Sequence, residues 1–210
     1  MRALTLDAPE IVRAHKTPGQ FVTLRLGDEE GVFALANAPG EPLEVLVKRA
    51  GGVSVDLARV AAGDTLLVGA PSGPGFPLAQ HEGRDLLLLA AGTGIAPIRA
   101  VVRCLLEPRA RWGRVDLYYG QRAEDGFAFA DEHAAWCDAG LAVNLIASDA
   151  DRTAAWTGAR GRVQDVLRAA PPANLNDAVV YLCGMASMVT DVTATLASLG
   201  HDPADLFLNL

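Results

Sequence analysis

The first 78 residues alternate short apolar runs with turn residues. Pro-Gly, Ala-Pro-Gly and Gly-Gly sequences separate these runs, and they favour tight turns because glycine tolerates positive φ and proline fixes its own φ. The pattern predicts a small antiparallel β-sheet or β-barrel in this half of the chain. Its strands are predicted at 21–26, 32–36, 43–49 and 65–69.

After residue 84 the apolar runs become more continuous and alternate with amphipathic segments. Strands alternating with helices predict a doubly wound parallel sheet. Gly200 follows the last helical pattern and is a typical C-terminal stop. The Gly- and Pro-rich segment 71–84 predicts a boundary between domains at 1–80 and 84–210. Strands are predicted at 85–91, 115–120, 141–148 and 178–184, and helices within 92–106, 124–140 and 185–200.

Composition narrows the function classes. Hydrophobic residues make up 50% of the chain and charged residues 20%, which is enough apolar surface for a globular core. The net charge of −7 disfavours a nucleic-acid partner, because such binding depends on Lys and Arg neutralising phosphates. No apolar run is long enough for a signal peptide or a membrane span, so we expect a cytoplasmic protein without a membrane partner.

The cysteines and histidines predict no metal site. Cys104, Cys137 and Cys183 stand far apart, without the paired spacing of a zinc or iron–sulfur site. Cys104 and Cys137 fall on helical patterns and are expected to be buried apolar groups. The histidines have no ligand-like spacing and are expected at the solvated surface; they are His15, His81, His133 and His201.

A glycine-rich turn follows the first strand of the second half and opens a helix. Its glycines allow a sharp turn and close approach of the backbone to a ligand, and a helix N-terminus suits a pyrophosphate. The same turn could also serve tight packing alone, and it is not a G-x-G-x-x-G sequence. The candidate nucleotide-binding residues are Gly92, Thr93, Gly94, Ile95, Ala96 and Pro97.

The order of motifs resembles the ferredoxin-NADP reductase superfamily from about residue 5 to residue 209. The likeness extends to a branch of FAD/NAD(P)-binding oxidoreductases that includes plant and fruit proteins, and to hydrogenase and dihydroorotate dehydrogenase electron-transfer subunits. The motifs that carry it are Pro18–Phe21, Gly52–Ser54, Gly63-Asp64, Gly92–Pro97, Tyr119–Arg122 and Cys183-Gly184.

The resemblance implies a bound FAD, but the flavin motif is altered. Relatives carry Arg-x-Tyr-Ser/Thr on the flavin strand, where this chain has Gly31 to Ala34, so the arginine and the hydroxyl are absent. Phe33 can still stack on a flavin, and Lys48 or Arg49 could supply the missing charge. A second element matches a phosphate-binding turn, and the alternative is a simple hairpin turn with a capping serine. It comprises Gly51, Gly52, Val53 and Ser54.

The implied reaction is hydride transfer from NAD(P)H to the flavin, with electrons passed to an acceptor protein or small molecule. No Ser-His-Asp order is evident, and the acidic residues look scattered over surfaces, so the chemistry would belong to the cofactors. Cys183 corresponds to the residue beside the nicotinamide in relatives and is the candidate catalytic residue. The other candidates in this region are Gly120, Arg122, Gly184 and Met185.

Coenzyme choice is predicted from the end of the third parallel strand. Users of NADPH in this superfamily commonly place a Ser-Arg pair there, whereas this chain has Ser148 and Asp149, with Asp151 close behind. A carboxylate repels a 2′-phosphate and accepts hydrogen bonds from a ribose 2′-hydroxyl, which favours NADH. Arg122 and Arg152 are near enough in sequence to contact a phosphate instead.

Two alternatives to a complete reductase remain. The altered flavin motif permits a nonenzymatic or regulatory dinucleotide-binding module. The chain could also be an electron-transfer subunit whose partner holds the redox metal. Flavin absorbance separates the first alternative from an enzyme, and co-purification tests the second.

Overall fold

The computed structural model describes residues 1–149 and 156–209, and within them the chain forms eleven strands and six α-helices. The strands are β1 (Arg2–Leu6), β2 (Phe21–Leu26), β3 (Glu29–Ala34), β4 (Leu43–Val47), β5 (Leu67–Val68), β6 (Leu86–Ala91), β7 (Val115–Gln121), β8 (Leu141–Ala147), β9 (Ala159–Arg160), β10 (Val179–Cys183) and β11 (Leu206–Asn209). The helices are α1 (Pro9–Ala14), α2 (Val53–Leu57), α3 (Ile95–Leu106), α4 (His133–Asp138), α5 (Val163–Ala169) and α6 (Ala186–Ser198).

The N-terminal half is antiparallel, as predicted. β1 pairs with β4, and β2 lies between β3 and β5. In β2 the side chains alternate, so that Val22 and Leu24 are buried in the core of this half while Arg25 is exposed. The flavin strand runs over residues 29–34 instead of 32–36, and β1 was not predicted.

The C-terminal half is a parallel sheet with helices on both faces, which confirms the predicted doubly wound fold. The strand order in the described residues is β11-β10-β6-β7-β8-β9, and all of these pairs are parallel. In β6, Leu86 and Leu88 face a core that includes α3, whereas Leu87 and Leu89 face a core that includes α5 and α6. Burial on both faces explains why this strand is a continuous apolar run.

The chain order reverses at β6, and this reversal positions the site. From β6 the chain crosses to β7 on one side, while β10 returns to the other side of β6. Ligands of such sheets bind outside the carboxyl ends of the strands at the reversal point. A Cβ atom built on Gly94 would collide with the carbonyl group of Cys183. The first turn of α3 therefore lies directly against the end of β10.

Several local predictions were wrong. The segment 124–140 contains an α-helix only over α4, because Phe127 and Phe129 make tertiary contacts outside any helix. Cys137 is exposed and Cys104 is only partly buried. Among the acidic residues, Asp116 is 2% exposed and receives two bonds from the guanidinium of Arg114, so they are not all at the surface.

All four histidines are buried rather than solvated, with exposed fractions between 2% and 9%. A ring nitrogen of each has a hydrogen-bond partner within the protein, which offsets the loss of water. The partners of His15, His133 and His201 are backbone carbonyl groups, and that of His81 is the hydroxyl of Tyr181 at 2.7 Å.

We expect Gly94→Ala to lower the free energy of unfolding by about 1–3 kcal/mol, because the added methyl group meets backbone atoms that cannot rotate away. Urea unfolding followed by circular dichroism measures this change. Gly69→Ala is the control, since its Cβ would lie 3.5 Å from the nearest atoms of Thr23. Equal stabilities of the two variants would contradict the close contact at Gly94.

Candidate functional site

A cavity of about 1080 Å³ lies between the two halves of the chain, and both halves contribute to its wall. Most of the candidate residues line it, although they come from distant parts of the sequence. Those in the N-terminal half are Phe33, Ala34, Lys48, Gly51, Gly52, Val53 and Ser54. Those in the C-terminal half are Gly92, Thr93, Gly94, Ala96, Pro97, Gly120, Arg122, Cys183, Gly184 and Met185.

Two candidates lie elsewhere. Ile95 is fully buried in the core beneath α3, because the first turn of the helix directs it toward the sheet. Asp149 does not line the cavity, and its carboxylate lies 3.5 Å from Nε of Arg122. Ser148 is the neighbouring residue that faces the cavity. Asp151 and Arg152 lie outside the described residues.

The turn at Gly92 opens toward the cavity. Gly92 has a φ of +60°, which disfavours other residues, and nothing lies within 4 Å of the position that a Cβ atom would take. Its carbonyl oxygen accepts hydrogen bonds from the hydroxyl of Tyr119 at 3.3 Å and from Nε2 of Gln121 at 3.4 Å. Tyr119 is fully buried, so these hydrogen bonds fix the turn to the end of β7.

Gly31, at the position in β3 where the resemblance implies an arginine, is closely packed. A Cβ atom at Gly31 would lie 2.8 Å from Cγ1 of Val53 and 3.2 Å from the ring of Phe33. Any larger side chain at position 31 would therefore collide with the start of α2. Phe33 packs partly against the core of the N-terminal half while it lines the cavity. Lys48 is exposed at the cavity wall and provides a positive charge on this side.

The turn before α2 has the form of a phosphate cradle. Gly51 and Gly52 have φ values of +126° and +53°, and no atom lies within 4 Å of a Cβ built on Gly51. The Ser54 hydroxyl donates to the carbonyl of Gly51 at 2.6 Å and accepts from the N–H of Ala50 at 3.1 Å. The serine therefore shapes the turn, which leaves the backbone as the surface presented to a ligand. Successive backbone N–H groups in such a turn suit a phosphate, so this wall fits the pyrophosphate of an FAD.

Cys183 lies at the carboxyl end of β10, where the cavity meets the sheet. Burial raises the pKa of its thiol to about 12, so the group is a neutral thiol at physiological pH. A neutral thiol is a poor nucleophile. Gly184 follows it, and Met185 is 66% exposed at the start of α6. Cys183 is thus suited to packing beside a ligand rather than to covalent catalysis.

Further residues of the cavity wall were missed by sequence reasoning. Arg162, Gln164 and Asp191 also line the cavity, and Nε2 of Gln164 donates to the carboxylate of Asp191 at 3.2 Å. The only sequence signal for this region is Gly161 before the helical pattern of α5, and it precedes Arg162 directly. The wall also includes Glu30, Val32, Gln121, Val163, Ser187 and Met188.

Residues 1–149 and 156–209 contain neither a metal-binding cluster nor a membrane-spanning helix. Within these ranges no group of three or more His, Cys, Asp or Glu side chains could hold a metal ion. No helix in the same part of the chain is long and apolar enough to cross a membrane.

Known proteins resemble the chain in sequence. Residues 88–194 match the family model of the oxidoreductase NAD-binding domain. The sulfhydrogenase 1 subunit gamma of Pyrococcus furiosus is 34% identical over 197 residues, which are 92% of this chain and 67% of that protein. Reductase component 1 of the terephthalate 1,2-dioxygenase of Comamonas sp is 30% identical over 203 residues, which are 94% of this chain and 60% of that protein. The chain thus spans only part of the length of these relatives.

Solved structures share the fold. A ferredoxin NADP⁺ reductase from Neisseria gonorrhoeae with bound FAD and NADP has a TM-score of 0.81 at 23% identity, and the match covers 99% of this chain and 92% of that one. The flavohem-like FAD/NAD-binding domain of a nitric oxide dioxygenase from Vibrio cholerae has a TM-score of 0.79 at 24% identity, with 92% and 84% covered. The chain belongs to the ferredoxin-NADP reductase superfamily of NAD(P)H-dependent flavin oxidoreductases, and it carries the oxidoreductase NAD-binding domain.

Proposed function

We propose that this cytoplasmic chain accepts a hydride from NADH on a bound FAD and passes the electrons to a separate redox protein. The observation that carries the proposal is the shared cavity, into which the glycine turns of both halves open. Two cofactors held by these turns would meet inside one cavity. Such an arrangement brings hydride donor and acceptor together and excludes water.

In this proposal each half of the chain binds one of the two cofactors. Residues 1–80 form the FAD-binding domain, in which Phe33 packs on the flavin, the Gly51–Ser54 turn holds the pyrophosphate, and Lys48 neutralises it. Residues 84–210 form the NAD(P)-binding domain, in which the turn at Gly92 receives the pyrophosphate of the coenzyme. Arg122 and Ser148 line the same cavity, and in this proposal they would meet the adenosine ribose.

The side chains around the reacting centre orient and shield it. The flavin supplies the hydride acceptor when it is bound. Cys183 places a neutral thiol beside the nicotinamide position, so it adds neither charge nor a proton acceptor there. Ala34 lies where related proteins have a hydroxyl at the flavin edge, and it donates no hydrogen bond. This chain therefore contributes packing and exclusion of water rather than acid–base catalysis.

A specific similarity supports a second form of the same function. The sulfhydrogenase 1 subunit gamma is, by its name, one subunit of a larger enzyme, and this chain matches 67% of its length. The terephthalate 1,2-dioxygenase relative is a reductase component. By this analogy the electron acceptor is a partner protein, and the chain works as the electron-transfer subunit of a larger redox system.

The purified protein is expected to contain FAD, or to bind it when it is added. Denaturation should release the cofactor, and chromatography with mass measurement identifies it. NADH added without oxygen should bleach the flavin absorbance. A folded, colourless protein that takes up neither FAD nor FMN would contradict the proposed enzymatic function. It would favour a nonenzymatic dinucleotide-binding module.

Gly92→Val should weaken NADH binding by at least about tenfold while FAD stays bound, because the new side chain enters the open space of the cavity in a strained backbone conformation. The dissociation constant is measured by titration of the flavin spectrum. Gly83→Val is a matched control, since Gly83 has a φ of +78° and open space but lies outside the cavity. Loss of FAD from folded Gly92→Val would contradict the assignment of FAD and NADH to separate halves of the chain.

NADH is expected to have a higher kcat/KM than NADPH with an artificial acceptor. Asp149 lies beside Arg122 and reduces the positive charge available to a 2′-phosphate. Asp149→Asn should then raise kcat/KM for NADPH severalfold and change that for NADH little. A wild-type preference for NADPH of tenfold, about 1.4 kcal/mol, would contradict the role of this aspartate.

A further inference from the structure

One buried arginine joins the two halves of the molecule. Arg99 lies on α3 and is 4% exposed. Its Nη1 donates to the carbonyl oxygen of Ala36 at 2.9 Å and to the carboxylate of Glu44 at 2.8 Å. Its Nε donates to both carboxylate oxygens of Glu132 at 3.0 Å, and its Nη2 donates to Oε1 of the same residue at 2.5 Å.

The partners of Arg99 come from both halves of the chain. Ala36 and Glu44 belong to the antiparallel half, whereas Glu132 precedes α4 in the parallel half. The ring of Phe129 also lies in the parallel half, with its centroid 4.1 Å from Cζ of Arg99. Phe129 has a φ of +56°, an uncommon backbone conformation for a residue other than glycine. The guanidinium is thus fixed within its own half and reaches across to the other.

The chemistry of this contact requires an arginine. Three nitrogens in one plane satisfy two carboxylates and a carbonyl group, and a lysine ammonium on a flexible stem cannot reproduce that geometry. Both carboxylates hold the guanidinium in its charged form and raise its pKa, although burial opposes this. A second ion pair, Arg103 to Glu41 at 2.6 Å, crosses between the halves one turn farther along α3. Buried apolar side chains of the two halves also share one core, in which Leu46 packs with Leu88 and its neighbours. The clasp, meaning Arg99 with Ala36, Glu44 and Glu132, is the polar part of this connection around the buried guanidinium.

The clasp lies close to both proposed cofactor sites in sequence. Ala36 follows Ala34 by two residues on the flavin side, and Arg99 follows Pro97 by two residues on the nicotinamide side. Both Ala34 and Pro97 line the cavity. A shift of Ala36 relative to Arg99 would therefore be transmitted over one or two residues to the two walls of the site.

We propose that Arg99 is a positioning residue that sets the distance between the flavin strand and the nicotinamide helix, acting through Ala36 and Glu44. The predicted effect on hydride transfer rests on the proposed function. The contacts of Arg99 themselves do not depend on any cofactor. Hydride transfer depends steeply on the separation of donor and acceptor, and a displacement of about 1 Å can lower a rate about a hundredfold. The clasp should therefore affect the rate of transfer more than the binding of either cofactor.

Glu44→Met is the test variant, because it removes the carboxylate on the antiparallel side and leaves the Arg99–Glu132 pair in place. Arg99→Met would remove the ion pairs of Glu44 and Glu132 together and could fail to fold. Arg84→Met is the matched control. Arg84 donates to Asp205 at 2.7 Å and to the carbonyl of Asp177 at 3.0 Å, so its bonds stay within the parallel half.

The first measurement uses the chain without cofactors. Spin labels on Cys137, which is exposed, and on an introduced Arg59→Cys report the distance between the halves. Cys104 and Cys183 are only partly buried, so both are replaced by alanine in all three proteins and only the two intended positions carry labels. We expect one narrow distance distribution in the parent and in Arg84→Met, and a broader or shifted one in Glu44→Met. Identical distributions in all three proteins would overturn the clasp.

The second measurement is the rate of flavin reduction by saturating NADH in a stopped-flow instrument. In Glu44→Met the rate should fall at least tenfold, while the dissociation constants of FAD and NADH change less than twofold. Absorbance of the charge-transfer complex between flavin and nicotinamide should fall in parallel. An unchanged rate, or an equal fall in Arg84→Met, would overturn the positioning role. Absence of NADH oxidation in the parent would instead refute the proposed function, and the label distances would still test the clasp.

Discussion

The structure depends on the close contact between the first turn of α3 and the end of β10. Gly94 has no side chain, so its Cα can rest on the carbonyl group of Cys183. The parallel pairing of β6 with β10 places two loops side by side that are almost 90 residues apart in sequence. Because Gly94 lets these loops approach closely, the turn at Gly92 and the Cys183-Gly184 pair form one wall of the cavity.

The parallel sheet could be predicted because its strands are buried on both faces. Such strands are uninterrupted apolar runs, as β6 and β10 show, and they differ clearly from the helices between them. The strand β11 was missed because half-buried residues at the edge of a sheet carry a weaker pattern. The helix predicted over 124–140 failed for another reason. Phe127 stacks on Trp156 at 5.5 Å and Phe129 covers Arg99, so tertiary contacts rather than helical periodicity explain these aromatic residues.

In the candidate site, features that depend on neighbouring residues in the sequence were predictable, and features that depend on distant segments were not. The glycine turns were identified from sequence because their conformation is encoded by the turn residues themselves. The role of Gly31 was not, because its packing against Val53 depends on two segments that are distant in sequence. From the sequence alone, the absence of an arginine at position 31 suggests only that a phosphate contact has been lost. In the structure, Val53 at the start of α2 leaves no room for a side chain at this position. Lys48 faces the cavity from the adjacent β4 end and carries the charge on this side.

The buried histidines make the stability of the folded chain depend on pH. Burial lowers the pKa values of His15, His81 and His133, so each ring is held neutral in the folded chain. In the unfolded chain the same rings bind protons at their ordinary pKa near 6.5. The unfolded state therefore takes up more protons as the pH falls below that value, and folding stability decreases. Above it these rings are neutral in both states, so their burial gives the molecule a stability that is insensitive to pH near neutrality and declines in mild acid.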